Sequence, residues 1–539
     1  MSKKTGFLKT IDLFCGAGGF SKGFELAGFN ILAGIDYNEN LRKTYVNNHN
    51  NSEFIHHDIL EGVLDEFNDN TIKMIIGSPP CQGFSDARGN RDTTSCFEEL
   101  RNSLPIRYLD WVEAIHPEIA LMENVSGMAT MKIDSKLFLE EIKRVVEKLN
   151  YNIQIGLLDS SYYGVPQKRV RVFCVIYKDK YKNVLDLFPF PLPKYIPDDF
   201  EKRKPLKRKV DIWYFEETEK YFFPKESEIQ PIRTMNDVLY DLPEVTNETG
   251  TVTYKVFEGL NKYQKYLRKN TSENVSLHYI LKKPKEEELK ILKNIPEGKI
   301  YRSSRFGDRY IGVWDLFKTE LRPDERFILL FLSRFRTREE YKTKKGKYSE
   351  GYLLESLFSD FKTMLKMMEE NEYLSKDELV EYKKYFIEEN NKENTDPYTT
   401  LERLKGDGWL RAKETKNGRA YDINTKSGIR PLYLRLDRNS PSRTIMTTSF
   451  RVRELVHPTQ DRPITFREGA RIQSFPDDFE FFGTPKEIAT MIGNAVPPLM
   501  AFKLGKYYRY ILKNHGEGLI DDLFDKFLNN KNKLITEFI

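Results

Sequence analysis

The chain is predicted to fold as an α/β protein on a mostly parallel sheet, joined to a separate region of mixed character. Three observations lead there. Residues 1–180 alternate short apolar runs with amphipathic ones, the pattern of repeated β–α units that lay parallel strands between helices. Residues 181–430 lose that rhythm and are rich in Lys, Glu and Tyr. From Pro431 the compact character returns.

Leu8–Phe14 reads as a strand, Phe20–Ala27 as a helix, Phe29–Ile35 as a strand and Glu39–Val46 as a helix. Further strands are expected at Phe54–His57, Lys73–Ile76 and Ile119–Met122. Leu137–Leu149 spaces its apolar residues three and four apart, the stripe of a helix that buries one face. Tyr151–Leu158 and Val170–Tyr177 are β-rich. Glu201–Lys209 is strongly basic, and Glu388–Pro397 is polar enough for a loop. Towards the end, Arg443–Phe450 is strand-like and Arg467–Phe475 helical. Ile492–Phe502 carries a Gly-Asn turn, then a Pro-Pro pair suited to a helix's first turn.

At 539 residues, 39% hydrophobic, the chain can build two or three cored domains. Its net charge of only +5 means that any nucleic-acid-binding face must come from local clustering of Lys and Arg. Cys15, Cys81, Cys96 and Cys174 are scattered with no CxxC pair, which argues against a disulfide framework or zinc module and for a reducing compartment. His56 and His57 have no Cys at ligand spacing, so no metal is expected. The N-terminus reads without a secretory signal, and no stretch is apolar and long enough to span a membrane. A cytoplasmic location is expected.

The first strand ends in Asp12-Leu13-Phe14-Cys15-Gly16-Ala17-Gly18-Gly19, whose glycines permit a tight turn and close approach to a ligand. The spacing is not GxGxxG, and no Lys-Ser/Thr pair follows, so a dinucleotide fingerprint and a P-loop are both excluded. The second strand ends at Asp36-Tyr37, where a carboxylate can accept from both ribose hydroxyls. The third ends at Asp58, placed to meet an adenine amine. Together they outline a nucleoside pocket across the strand ends.

Gly77-Ser78-Pro79-Pro80-Cys81-Gln82-Gly83-Phe84-Ser85 follows the fourth strand, and its prolines stiffen the approach to a lone cysteine, a candidate nucleophile. The ordinary fate of cysteine is a small buried hydrophobe, and Cys15, Cys96 and Cys174 are assigned to it. The fifth strand delivers Glu123-Asn124-Val125, and adjacent parallel strand ends would bring Glu123 to the pocket of Cys81. Carbon methylation of a cytosine ring needs such a pair. A thiolate adding to C6 makes C5 nucleophilic, and a protonated carboxyl at N3 meets the developing charge. In Gln167-Lys168-Arg169-Val170-Arg171, period two puts Arg169 and Arg171 on one face, suited to a base carbonyl or a phosphate.

This ordered set resembles the DNA cytosine-5 methyltransferase family of the bacterial restriction–modification type. The family's blocks DLFxGxGG, two strand-end acids, PPCQ, ENV, QxRxR, RExARxQSFP and GNAVPP all occur, in order, from Asp12 to Pro498. The resemblance implies a Rossmann-like methyltransferase domain that binds S-adenosylmethionine and releases S-adenosylhomocysteine. Residues 1–180 would form that catalytic domain, 181–485 the target recognition domain, and 486–539 a segment returning to the first. Cys81 would be the nucleophile, Glu123 would engage N3, and Arg169 and Arg171 would sit in the cytosine pocket. Phe14, Gly16, Gly18, Gly19, Asp36, Tyr37, Asp58, Pro80, Asn494 and Ala495 would hold the cofactor. Arg467, Glu468 and Arg471 would be architectural, bridging the catalytic and recognition domains.

Reaching a stacked cytosine requires base flipping. Gln82 and Ser85 are candidates to fill the gap, and Thr447 and Thr448 to support the backbone beside the flipped base. Arg443, Arg451 and Arg453 are candidate DNA contacts, as are Arg435, Arg438, Lys202, Arg203 and Lys204. Double-stranded DNA is the expected partner of a working monomer, with a companion restriction endonuclease acting separately. An RNA-directed enzyme is the alternative, and the large middle region favours duplex DNA, whose readout needs its own scaffold. A non-catalytic DNA binder would be expected to lose Cys81 or Glu123, and both are present. A nicotinamide dehydrogenase fails on the glycine spacing.

Overall fold

Leu8–Leu13 (β1) is buried on both faces from Thr10 onward, as a central strand of a helix-covered sheet must be. The computed structural model describes residues 8–67, 71–80, 104–133, 136–195, 213–214, 230–245, 252–254, 259–271, 274–301, 310–311, 322–335, 353–374, 376–388, 396–406, 410–415, 418–423 and 433–514. Cys81, Gln82, Ser85, Cys96 and the basic residues Lys202, Arg203 and Lys204 lie outside the described residues.

The chain divides into two compact units. The first comprises Met1–Lys283, Asp437–Arg451 and Ile464–Ile539, and the second Pro284–Leu436 and Val452–Pro463. In the first unit, β1 is followed by a helix Gly19–Leu26 (α1), β2 (Phe29–Asp36), α2 (Arg42–Asn48), β3 (Glu53–His56) and β4 (Met74–Gly77). Then come α3 (Leu104–Ile115), β5 (Ile119–Val125), α4 (Phe138–Lys148), β6 (Asn152–Asp159), β7 (Val170–Tyr177) and β8 (Trp213–Tyr214). The sheet order is β8-β6-β7-β5-β4-β1-β2-β3.

Strands β3, β2, β1, β4 and β5 are parallel neighbours, whereas β7 runs antiparallel to both β5 and β6. The strand order reverses between β1 and β4, and the crevice outside the carboxyl ends at such a switch point is where α/β sheets bind ligands. Because β7 is reversed, its first residues lie at the edge where β5 ends, with Arg171 opposite Val125 and Phe173 opposite Glu123. Helices α3 and α4 cover the sheet through Trp111, Val112, Ile142 and Val146. Cys174 is buried in that core, and Cys15 beneath Tyr45 and Phe54.

The second unit holds α5 (Pro323–Phe335), β9 (Leu353–Leu354), α6 (Phe361–Glu370), α7 (Lys376–Lys383), α8 (Pro397–Gly406) and a hairpin of β10 (Leu410–Thr415) and β11 (Gly418–Ile423). These share one aromatic-rich core. A separate small sheet joins Ile300–Tyr301, Tyr310–Ile311, Tyr433–Arg435 and Leu455–Val456.

After the second unit, α9 (Phe466–Ile472), α10 (Pro485–Asn494) and α11 (Pro498–Lys513) belong to the first unit, and α11 packs on α1. Arg443–Phe450 is not the strand its composition suggests. Only Ser442–Arg443 pairs as β-structure, against Gln167–Lys168. Beyond it, backbone donors turn to side chains, Ile445 N to Gln167 Oε1 at 2.6 Å and Met446 N to Ser449 Oγ at 2.9 Å, which ends the ladder. Gly493-Asn494 closes α10 rather than forming a free turn, and Pro498 opens α11 as expected.

Candidate active site

The loop after β1 needs its glycines for two different reasons. Gly18 has φ 88°, and a Cβ there would lie 2.0 Å from His49 Nε2. A Cβ on Gly19 would lie 2.5 Å from the Val496 carbonyl oxygen and 3.3 Å from Ala495 Cβ, so the GNAVPP turn rests directly on the glycine loop. Phe14 also adopts a positive φ of 58°. Asp36, 8% exposed, accepts from Gly16 N and Asn38 N, both at 3.0 Å. Each of its oxygens keeps a lone pair, and a Cβ on Gly16 would meet no atom within 4 Å, so there is open space beside an acceptor pair of the kind a ribose diol needs. Burial raises the Asp36 carboxyl above its ordinary range. Tyr37 beside it is 58% exposed. Asp58 is half-buried and caps Leu60 N at 3.0 Å, and Pro80 is half-buried at the end of the described approach to Cys81.

At the next strand end, Glu123 is 6% exposed and Arg171 Nε lies 3.2 Å from its Oε1. Burial raises the Glu123 carboxyl despite the opposing pull of Arg171 and then Arg169. Neighbouring Asn124 donates from Nδ2 to the Pro79 carbonyl at 3.0 Å, tethering the segment that leads to Cys81 beside Glu123.

Arg169 and Arg171 end on different partners. Arg169, 2% exposed, donates from Nη1 to the carbonyls of Ile445 at 3.2 Å and Gly493 at 3.1 Å, and from Nη2 to Asn494 O at 3.4 Å. Two of those carbonyls close helix α10, where a cation is favoured. Sequence reasoning left the accompanying glutamines without a role. Gln167 Nε2 donates to Gln473 Oε1 at 2.8 Å, and Gln473 Nε2 to Ile492 O at 2.7 Å. Their blocks were recognised, but nothing in the spacing says that the two amides meet. His49 and the buried Asp12–Ser21–Tyr45 chain beneath the loop were missed as well.

Among the candidate DNA contacts, Arg443, Thr447 and Arg451 are exposed and Thr448 half-buried in the first unit. Arg438 is exposed there too. Arg453 is exposed in the second unit, its Nε 3.1 Å from Glu288 Oε1. Arg435 must be withdrawn. It is 5% exposed and directs its guanidinium at the carbonyls of Leu292, Ile295, His457 and Gln460 and at Asp461. Arg467, Glu468 and Arg471 are buried. Arg471 forks between Asp241 and Asp477, Arg467 holds Ser276 and the Pro476 and Phe479 carbonyls, and Glu468 closes a capping box with Thr465. All those partners lie within the first unit. Among the described residues, no group of three His, Cys, Asp or Glu could hold a metal ion, and no helix is long and apolar enough to cross a membrane.

A family model described as C-5 cytosine-specific DNA methylase matches residues 8–328 and 324–509. The type II methyltransferase M.AgeI of Thalassovita gelatinovora is 28% identical over 505 residues, covering 92% of this chain and 97% of that protein. The type II methyltransferase M.DdeI of Desulfomicrobium norvegicum is 37% identical over 173 residues, 31% of this chain and 40% of that protein. A crystal structure described as that of a DNA modification methyltransferase encoded within an E. coli prophage has the same fold, with TM-score 0.53 and 20% identity over 94% of this chain and 99% of the other.

Proposed function

Since the chain belongs to the C-5 cytosine-specific DNA methylase family and is a DNA cytosine-5 methyltransferase of the restriction–modification kind, we propose that it methylates C5 of a cytosine flipped out of one specific duplex sequence. The observation that carries this reading is the Glu123–Arg171 pair, a buried carboxyl beside a guanidinium at the strand end next to the tethered approach to Cys81. S-adenosylmethionine, when bound, supplies an electrophilic methyl on a positively charged sulfur and leaves as neutral S-adenosylhomocysteine.

Cys81 adds as a thiolate to C6, forming the S–C6 bond as the C5–C6 π electrons shift towards C5 and the ring. Glu123, holding a proton, donates it towards N3 as charge develops there. Arg171 fixes the carboxyl and faces the ring oxygen. Once C5 carries the methyl, the C5 proton passes to water, the C5–C6 double bond re-forms as the S–C6 bond breaks and Cys81 leaves as thiolate, and the N3 proton returns to Glu123. Asp36 suits the ribose, Phe14, Tyr37 and Asp58 the adenine, and Gly16, Gly18, Gly19, Pro80, Asn494 and Ala495 line the approach to the methionine end. Arg169 assists by holding Gly493 and Asn494 in place.

On this reading residues 1–180 and 486–539 carry catalysis and 181–485 recognition, in a monomer working in the cytoplasm beside a separate endonuclease whose cleavage the methyl group blocks. The test is expression in cells lacking cytosine methylation, with base-resolution mapping of 5-methylcytosine for wild type and Cys81→Ala. Methylation at one short motif, absent from the variant, is expected. Methylation that survives Cys81→Ala would overturn the covalent mechanism, and none in a folded wild type would overturn the DNA reading.

A further inference from the structure

The turn Arg443–Phe450 is bonded to the catalytic strand edge at several points, yet its most prominent side chain has no part in the chemistry described. Just before it, Ser442 N donates to the Pro166 carbonyl at 3.0 Å, and Thr444 Oγ1 donates to the Lys168 carbonyl at 2.9 Å. Ile445 is gripped on both sides. Its N–H donates to Gln167 Oε1 at 2.6 Å, and its carbonyl accepts from Arg169 Nη1 at 3.2 Å. Ser449 closes the turn, its Oγ accepting from Met446 N at 2.9 Å and its N–H donating to the Met446 carbonyl at 3.0 Å. A Cβ on Gly493 would lie 2.5 Å from Thr447 N and 2.7 Å from the Met446 carbonyl carbon, so the end of α10 packs backbone to backbone against the turn.

This bonding buries Ile445 completely and leaves Met446, the next residue, 52% exposed. A lone apolar side chain on a loose loop calls for no explanation. Here the backbone is fixed and cannot fold the side chain inward. A partner that covers the thioether therefore gains apolar burial with little ordering cost.

The place and the charge identify that partner. Arg169, which holds the carbonyl beside Met446, stands two residues before Arg171, the partner of Glu123, and β7 begins at the edge where β5 ends. Asp437–Arg451 carries Arg438, Arg443 and Arg451, all exposed, against Asp437 alone, which draws a phosphate backbone to the turn. Methionine is flexible and polarizable, and apolar side chains of its kind wedge between base steps and unstack them. We infer that Met446 enters the base stack beside the target cytosine and fills space that the flipped base leaves, with the bonded turn as its rigid mount.

The inference rests on the base-flipping reading, and its test keeps the two apart. The full-length enzyme with S-adenosylhomocysteine is titrated with a duplex carrying its mapped motif, and with the same duplex whose target cytosine faces adenine. A mispaired base costs less to extrude, so a wedge matters less there. Relative to wild type on the same duplex, Met446→Ala is expected to lose about tenfold in affinity for the paired one and about twofold or less for the mispaired one. A 2-aminopurine at the target position should brighten on binding wild type and brighten less with the variant. Met446→Leu keeps the apolar bulk and should stay within about twofold of wild type on both duplexes. Leu26→Ala trims another apolar side chain, 46% exposed on α1, and should change neither affinity. If Met446→Ala melts early, Met446→Thr, which matches its neighbours Thr447 and Thr448, should show the same selective loss. A stable variant that keeps wild-type affinity for both duplexes, or loses the same factor on both, would overturn the inference. A wild type that methylates the motif without brightening 2-aminopurine would overturn the flipping reading beneath it.

Discussion

Arg171 holds its Nε 3.2 Å from Oε1 of Glu123, a carboxyl that burial nonetheless keeps easier to protonate than an exposed glutamate. The proposed chemistry needs that proton, so kcat should fall as pH rises through the raised Glu123 pKa. Arg171 works against the shift, and removing it raises the pKa further. In Arg171→Gln the alkaline limb of the pH–rate profile should move to higher pH while the maximal rate drops about 100-fold. A limb that stays put, or moves to lower pH, would show that Glu123 does not supply this proton.

Asp12 lies at the end of β1 beneath the glycine loop, fully buried. Its Oδ2 accepts from Ser21 N at 3.1 Å and Ser21 Oγ at 2.6 Å, while Oδ1 has no partner. Burial is the largest cause of a pKa raised from 3.8 to about 7. The folded protein therefore holds this proton more tightly than the unfolded chain does. The stability linked to it is complete below pH 3.8 and is lost as pH rises to about 7. Asp12→Asn keeps an acceptor for Ser21 and does not titrate. The variant should gain on wild type by a few kcal/mol, to order of magnitude, between pH 4 and pH 8 in urea unfolding. A stability difference that is flat across that range would contradict the assignment.

The parallel β–α units and the glycine turn after β1 were readable because apolar periodicity and glycine spacing are local signals. Helix α3 carried such a signal, Tyr108, Trp111, Val112 and Ile115 lying three, one and three apart, and it was overlooked. The reversed direction of β7 was not readable, because composition marks a strand without its sense. Nor was the Gln167–Gln473 pair, whose members stand 306 residues apart and meet only through tertiary packing. Arg435 looked like a free cation in a basic stretch, and only its burial shows where its charge is used.

Arg471 offers a stability test remote from the chemistry. It is completely buried and bonded to two buried carboxylates, Asp241 and Asp477, with the Val238 carbonyl taking a further N–H at 2.8 Å. Arg471→Ala would leave two buried carboxylates without their shared partner, Asp241 keeping only Arg268 at 3.4 Å and Asp477 only Arg467 at 3.9 Å and the Tyr254 hydroxyl at 2.6 Å, at a cost of about 3–5 kcal/mol. Arg471→Lys should recover little, since an ammonium cannot fork between both carboxylates. Adding Asp241→Asn and Asp477→Asn to Arg471→Met should recover most of the loss. Chemical denaturation measures all three variants, and a full rescue by lysine would refute the bidentate account.

Gly18 and His49 make the sharpest local prediction about cofactor binding. His49 is buried, its Nδ1 lies 2.9 Å from Glu25 Oε1, and its ring packs on Tyr45 at 4.3 Å, so it cannot easily give way. Gly18→Ala meets two separate obstacles, a left-handed φ and an imidazole where the methyl group must go. His49→Ala clears the second and leaves the first. Gly18→Ala should therefore weaken S-adenosylmethionine binding by at least about tenfold in calorimetry, and the double variant should recover only part of that loss. The recovery is the discriminating quantity. His49→Ala alone removes a support of the loop, so two independent defects would add, whereas relief of a shared contact makes the double variant bind better than the sum predicts. Strict additivity would mean that the imidazole does not shape the loop.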